Sequence, residues 1–341
     1  MRTLHLLLIV AVVTPACVRA PSPPPSTAGD IQTDSDPNYL GTFSIISRDP
    51  SSGELGFAVQ SKAFAAGNRA VAIRAGLGVI AHQASANPMY GAIGFELLAR
   101  GFTPQQALDM MLRSDEGRTS RQVAILDAEG RTASWDGPGA NDWKGHKCGA
   151  NYCAQGNILA GPQVVDALAR SFESSSGPLA ERLMDALDAA QAAGGDARGM
   201  QSAALIITRA LGGAGGFSDR VIDIRVDDSR APLADLRRLL NLYRAGQMIT
   251  DANRQLTAGD PDTALGTALA ARDKAPDNDN AWVAIANIHL KAGRKADALA
   301  AIRRAIELNA ANRRQLPKNR NFETLMNDPE FKRLTSGSAG Q

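Results

Sequence analysis

Between residues 42 and 246, strand-like and helical stretches do not alternate one for one; the helices come in pairs between blocks of strands. Residues 41–50 read as a first strand that runs into an Asp49-Pro50 turn, and Thr42 is the first residue of that strand. Residues 55–64, 70–75 and 78–83 read as three more. Asn87-Pro88 and Thr103-Pro104 each set a cap residue before a proline at a helix start. The first of these helices stops at Gly101; the second carries Ala107, Leu108, Met111 and Leu112 on one face. Residues 122–127 and 131–135 form a hairpin about Glu129-Gly130, and 152–159 make another strand. Helices over 164–172 and 179–193, strands over 202–208 and 221–226, and a helix over 233–243 complete the order. A one-for-one alternation would build a parallel sheet. Paired helices predict an α+β fold, with two packed sheets covered by helices on both sides.

The ends of the chain follow other rules. Met1-Arg2 and the apolar run from Leu4 to Val13 fit a secretory signal over residues 1–16, too short to span a bilayer. Thr14-Pro15-Ala16-Cys17 loosely resembles a lipoprotein cleavage box that would leave Cys17 lipidated. Val18-Arg19-Ala20 is the alternative, ordinary cleavage site. The rest of the segment 17–41 is rich in Pro, Ser, Thr and Asp and is expected to be a disordered linker. Residues 247–334 carry a 34-residue repeat. Trp282, Ile285, Ala286, His289, Gly293, Ala298, Ile302 and Ala305 mark one copy, and Ala252, Gln255, Gly259, Ala264, Ala268, Ala271 and Pro276 the other. The pattern resembles the tetratricopeptide repeat, an all-α module that serves as an interaction surface. Two copies are expected to lean on the helix at 233–243 and on a cap at 322–334. Residues 335–341 read as a tail. The net charge of +2 argues against a nucleic-acid partner, and any membrane contact would be peripheral, through lipid on Cys17.

Chemical motifs are few. Gly76-Leu77-Gly78-Val79-Ile80-Ala81 matches a dinucleotide fingerprint, but its glycines enter a strand where that motif needs a helix. His146, Cys148 and Cys153 could be three metal ligands, with no fourth evident. In an oxidising compartment a Cys148–Cys153 disulfide accounts for the pair better. No cofactor is called for. Two polar clusters stand out. One runs from His82 through Gln83 and Asn87-Pro88 to Gly91 at a strand-to-helix junction, where amides can hold a developing oxyanion. The other is Gln155-Gly156-Asn157, inside a strand where amides are costly unless paired. Capping or turn networks are the plain alternative for both. Thr42 would carry both a hydroxyl and a free α-amine if the chain were cut before it, and such an amine can take the hydroxyl proton. Its plain alternative is a β-branched residue that opens a strand.

Several stretches together resemble a bacterial family known only as domain of unknown function 1028. They are Thr42-Phe43-Ser44-Ile45-Ile46 with Arg48-Asp49-Pro50, Ser61-Lys62, Gln83 with Asn87-Pro88 and Tyr90-Gly91, and Arg121-Gln122-Val123. Further along stand Gln155-Gly156-Asn157 with Leu159-Ala160-Gly161-Pro162, Gly194-Gly195-Asp196 with Arg198, Gln201-Ser202-Ala203-Ala204, and Arg225-Val226-Asp227-Asp228. The resemblance covers residues 42–246. It implies a four-layer αββα sandwich similar to the N-terminal nucleophile hydrolases, followed here by the small all-α repeat domain. By similarity to that superfamily Thr42 sits where the nucleophile belongs. Lys62 would lower the Thr42 amine pKa or orient its hydroxyl, and Gln83, Asn87 and Asn157 would contact an oxyanion or substrate. The expected function is an exported amidohydrolase of the periplasm or cell envelope that cleaves a small amide or peptide bond. The alternative is a non-catalytic envelope lipoprotein that binds a protein partner through its repeats.

Overall fold

The computed structural model describes residues 39–336. The expected signal peptide, the Cys17 lipidation site, all but the last three residues of the expected linker, and the tail beyond residue 336 lie outside the described residues. In chain order the strands are β1 (Tyr39–Leu40), β2 (Thr42–Arg48), β3 (Leu55–Ser61), β4 (Val71–Arg74), β5 (Gly78–Ser85), β6 (Arg121–Asp127), β7 (Thr132–Asp136), β8 (Gly145–Gly149), β9 (Tyr152–Asn157), β10 (Ser202–Thr208) and β11 (Arg220–Val226). The helices are α1 (Ala66–Arg69), α2 (Met89–Ala99), α3 (Pro104–Ser114), α4 (Pro162–Ser174), α5 (Leu179–Ala192), α6 (Pro232–Thr257), α7 (Pro261–Lys274), α8 (Asp279–Lys291), α9 (Lys295–Leu308), α10 (Asn312–Gln315) and α11 (Pro329–Thr335). The result is a mixed α and β structure with two antiparallel sheets and a C-terminal helical region.

One sheet has six strands in the order β11-β10-β3-β2-β9-β8. The other has five: β1-β5-β6-β7, with β4 sharing the β1 edge of β5. Strand alternation sends neighbouring side chains to opposite faces. Phe43, Ile45 and Ala58 pack with Leu168, Phe172, Leu183 and Leu187 of α4 and α5. Ile46, Phe57 and Val59 meet Val79, Ala81 and Leu126 of the second sheet. On the far side of that sheet Ile80, Val123 and Ile125 pack with Tyr90, Phe95, Leu108 and Met111 of α2 and α3.

Two short elements escape the sequence pattern. β8, Gly-His-Lys-Cys-Gly, has no apolar alternation, and is held by its pairing with β9. β1 lies in the stretch expected to be linker, and pairs with Ala84 and Ser85 of β5. The helix expected over 233–243 runs on to Thr257. It passes through Gly246, where the first domain was expected to end; an internal glycine costs a helix only about 1 kcal/mol, and packing on both ends outweighs that. Leu233, Leu236 and Leu240 join the core beside α5, while Ala252 joins the helical core. Arg244 pairs with Glu181, and Arg237 with Asp185 and Asp188, fastening α6 to α5. The helical core is rich in small side chains: Ala264, Ala268 and Ala286, with Ile285 and Ile302. Phe322, Leu325 and Phe331 close it where a cap was expected. Trp282 is only partly buried at its edge, under the Arg272 guanidinium.

Candidate active site at Thr42

At one end of the space between the sheets the apolar packing gives way to polar side chains. Thr42, Ser44, Ser61, Gln83, Gln122, Gln155, Asn157 and Ser202 are all buried there. Register explains the gathering. β2 lies between β3 and β9, so Thr42 faces Ser61 on one side and Asn157 on the other. Gln83 and Gln122 are themselves partners across β5 and β6.

Thr42 is fully buried. Its hydroxyl donates to the Ser61 hydroxyl at 3.0 Å, and Ser61 donates in turn to the Gly41 carbonyl oxygen at 2.5 Å. Arg198 Nη2 donates to the same carbonyl at 2.9 Å. The buried Asp196 carboxylate holds Arg198 from the other side, and also accepts the Lys62 backbone N–H at 3.1 Å. The bond joining Gly41 to Thr42 therefore has a hydroxyl on one side and two donors on its carbonyl oxygen.

A web of amides surrounds it. Gln83 Nε2 donates to the Thr42 carbonyl at 3.2 Å and to Gln122 Oε1 at 2.7 Å, while its Oε1 accepts from Ser44. Asn157 Nδ2 donates to the Leu40 carbonyl and to Gln122 Oε1. Gln122 Nε2 donates to the Gly156 carbonyl and to Asp136. Asp136 then pairs with His146 Nδ1 at 2.6 Å, a hydrogen bond that raises the His146 pKa against the opposing effect of its burial. This web links a buried threonine to a half-exposed histidine.

The structure thus brings Thr42, Gln83 and Asn157 together, and leaves two other expected site residues outside. Lys62 is exposed, and its ammonium meets the Met200 carbonyl at 3.5 Å. It is one residue past the end of β3, so its side chain leaves the face that Ser61 presents. Asn87 accepts the Met89 N–H at the start of α2 and donates to Asp115. Asp115 is the hub of a separate cluster: Arg121 and Tyr90 bond to it and hold its carboxyl well below the usual range. His82 points to the opposite face of β5 from Gln83, into a cavity of about 340 Å³ beside Val71, Ala72 and Pro88. Cys148 and Cys153 face each other across β8 and β9 and are disulfide-bonded. Among the described residues no group of three or more His, Cys, Asp and Glu is arranged to hold a metal ion.

Ser61, Gln122, Asp196 and Arg198 had no assigned role from sequence. Ser61 could have been found by counting, because the turn at residues 49–54 sets the β2–β3 register that places it opposite Thr42. Arg198 lies in an irregular segment that no periodicity positions.

Comparison with curated proteins gives no match. Among solved structures, the chain is similar to the crystal structure of a protein from Silicibacter pomeroyi, of the family DUF1028. The TM-score is 0.54 at 29% identity, and the match covers 59% of this chain and 84% of that one. A family profile described as a family of unknown function, DUF1028, matches residues 42–236, beginning at Thr42 itself. The chain therefore belongs to the DUF1028 family.

Proposed function

We propose that this chain is the precursor of an amide-bond hydrolase whose nucleophile is Thr42, carried on a four-layer αββα sandwich of the N-terminal nucleophile kind. The observation that carries the reading is the Gly41 carbonyl, held by Ser61 and Arg198 while Thr42 donates to Ser61. Thr42 Oγ1 attacks the Gly41 carbonyl carbon. Its proton passes to Ser61 Oγ, whose own proton passes to the carbonyl oxygen. Arg198 adds a cationic donor at the same oxygen, where negative charge builds. Collapse breaks the C–N bond, and the proton returns to the nitrogen. The product is an ester on Thr42 and a free Thr42 amine, and water then opens the ester. The freed amine becomes the base for later turnovers on a small amide or peptide. In the uncut chain that nitrogen is a peptide nitrogen, so this base does not yet exist. Gln83, Asn157 and Gln122 position the strand ends around Thr42. The disulfide suits an oxidising compartment, in keeping with export to the envelope.

Intact-mass measurement and N-terminal sequencing of the full-length protein test this. A species beginning at Thr42 is expected, absent in Thr42→Ala and formed more slowly in Ser61→Ala, with amide hydrolysis tracking the cut fraction. Turnover by a chain that stays whole, or cutting that survives Thr42→Ala, overturns it.

One observation favours the second reading, a protein-binding surface on tetratricopeptide-like repeats. Asn253, Asn287 and Asn321 stand 34 residues apart and line one cavity of about 500 Å³ with Lys291. An amide offers both a donor and an acceptor to a peptide backbone. Under this reading Asn287→Ala abolishes capture of a partner, and Thr42→Ala changes nothing.

A further inference from the structure

The residues just before Thr42 are held as a bound peptide would be. β1 adds to the edge of β5, with Leu40 opposite Ala84. Leu40 is fully buried in the apolar cluster between the sheets, and its carbonyl accepts from Asn157 Nδ2 at 3.1 Å. Gly41 follows with its carbonyl on Ser61 and Arg198. A Cβ on Gly41 would overlap the Arg198 guanidinium and would lie 2.9 Å from the Ile158 δ-methyl. The segment therefore shows a strand edge for the backbone, an apolar pocket for one side chain and, while the buried Asp196 carboxylate holds Arg198 in place, little room for the next. Pairing at a sheet edge with a pocket for a single side chain is a recurring way to hold extended peptides.

We infer that the Thr42 site selects amides whose acyl half is a glycyl unit preceded by a large apolar residue, the chemistry of Leu40-Gly41. The inference rests on the Thr42 reading above, because only the carbonyl side of the cut bond is imprinted. Once residues 39–41 leave, Asn157 Nδ2, the Arg198 guanidinium and the β5 edge lose partners, and an apolar hole opens beside them. Buried groups without partners are costly, so a ligand that restores every contact is strongly preferred to one that restores some. An apolar side chain refills the Leu40 space, and a glycyl carbonyl reaches Ser61 and Arg198. A larger residue in the glycyl place must push the Arg198 guanidinium off the Asp196 carboxylate that holds it. The product carboxylate would meet the same guanidinium, so the released segment is also expected to act as a product inhibitor.

Two arms separate this inference from the reading beneath it. In the first, Leu40→Asp in the full-length chain puts a charge into the apolar cluster and expels residues 39–41. Gly41→Val does so by overlap with Arg198, and stands in if the first variant does not fold. Acetyl-Tyr-Leu-Gly should then raise the melting temperature, and acetyl-Tyr-Leu-Val and acetyl-Tyr-Asp-Gly should bind about tenfold or more weakly. Equal binding of the three peptides, or none, by a folded variant overturns the inference. In the second arm, protein shown by mass to begin at Thr42 is given leucyl-glycyl and leucyl-valyl anilides. A preference of about tenfold or more for the glycyl compound supports the inference. Turnover without that preference overturns it, and leaves Thr42 as the nucleophile. Selective binding in the first arm by a chain that never cuts or turns over upholds the pocket and removes the nucleophile.

Discussion

Gln122 and Asn287 are both carboxamides lifted out of water, and the protein treats them in opposite ways. Gln122, between the sheets, accepts from Gln83 and Asn157 and donates to Asp136 and to the Gly156 carbonyl. Asn287, in the helical groove, is 8% exposed, and its Oδ1 has no hydrogen-bond partner. Buried polar groups cost stability unless they are paired. Gln122 and Gln83, with every polar atom paired, tie the strand ends around Thr42 together, although Asn157 Oδ1 and both amide atoms of Gln155 beside them have no partner. A buried amide with open valence is a place where something else can bind. Burial alone therefore does not distinguish the two amides; Gln122 has its partners within the fold, whereas Asn287 Oδ1 has none.

Replacing each amide by leucine, close to it in volume, tests the difference directly. Gln122→Leu is expected to have the largest effect. It strands the Gln83 and Asn157 donors, at about 1–3 kcal/mol each, for a loss of about 4 kcal/mol in denaturant unfolding. It should also slow or stop cutting at Thr42, because Gln83 and Asn157 also hold the Thr42 and Leu40 carbonyls. A loss below about 1 kcal/mol, the worth of one ordinary hydrogen bond, would mean that the web is not cooperative.

His82 sharpens the comparison with a third buried polar group, one that lies in the sheet domain but outside the web. It is 4% exposed, its Nδ1 has no partner, and burial lowers its pKa to about 4. In the unfolded chain it returns to the ordinary value near 6.5. Between those values the unfolded state binds the extra proton, so stability falls as pH drops from about 6.5 towards 4. The full loss is about 3 kcal/mol. His82→Phe should flatten that part of the stability profile. An unchanged slope in the variant would place the acid sensitivity elsewhere.

How much of this was legible in the sequence depends on what positions each residue. The strands with clean alternation, and the helices with a cap and proline, follow from local chemistry. Thr42, Gln83 and Asn157 stood out as polar residues in or beside apolar strands, and the sheets bring those three together. The role expected of Lys62 rests on similarity to the N-terminal nucleophile hydrolases and its place by the second strand, yet one residue past Ser61 is the opposite face. Arg198 and Gln122 act through tertiary register, which no local pattern encodes. The α6 helix extends past Gly246 because two cores hold it, one at each end, and a window on residues 233–246 contains only the first.

The disulfide tests how far the web depends on its outer edge. Cys148 and Cys153 join β8 to β9, and β8 supplies His146 and the Gly145 carbonyl that flank the Gln122–Asp136 contact. Closing so short a loop stabilises by about 2 kcal/mol. Reduction should therefore lower stability by about that amount in both the wild type and Gln122→Leu, because loop-closure entropy belongs to the unfolded chain. A larger loss in the wild type would show that the web also leans on this edge. Equal losses in the two backgrounds would show that the sheet edge and the amide web are energetically separate.

The smallest effect, and the most telling, is expected for Asn287→Leu. The substitution removes no hydrogen bond at Oδ1 and adds apolar contact beside Leu256, which lines the same groove. Leucine also has the higher helix propensity, by a few tenths of a kcal/mol. Stability should rise by about 0.5–1 kcal/mol, read as a higher denaturant midpoint at unchanged slope. The sign is what matters. A gain means that the fold tolerates an unpaired amide at this position at its own expense, as expected of a residue kept for a contact the isolated chain does not make. A loss approaching that of Gln122→Leu would mean that ordered water already satisfies Asn287. The groove amide would then be part of the scaffold, and the contrast between the two regions would be one of geometry alone.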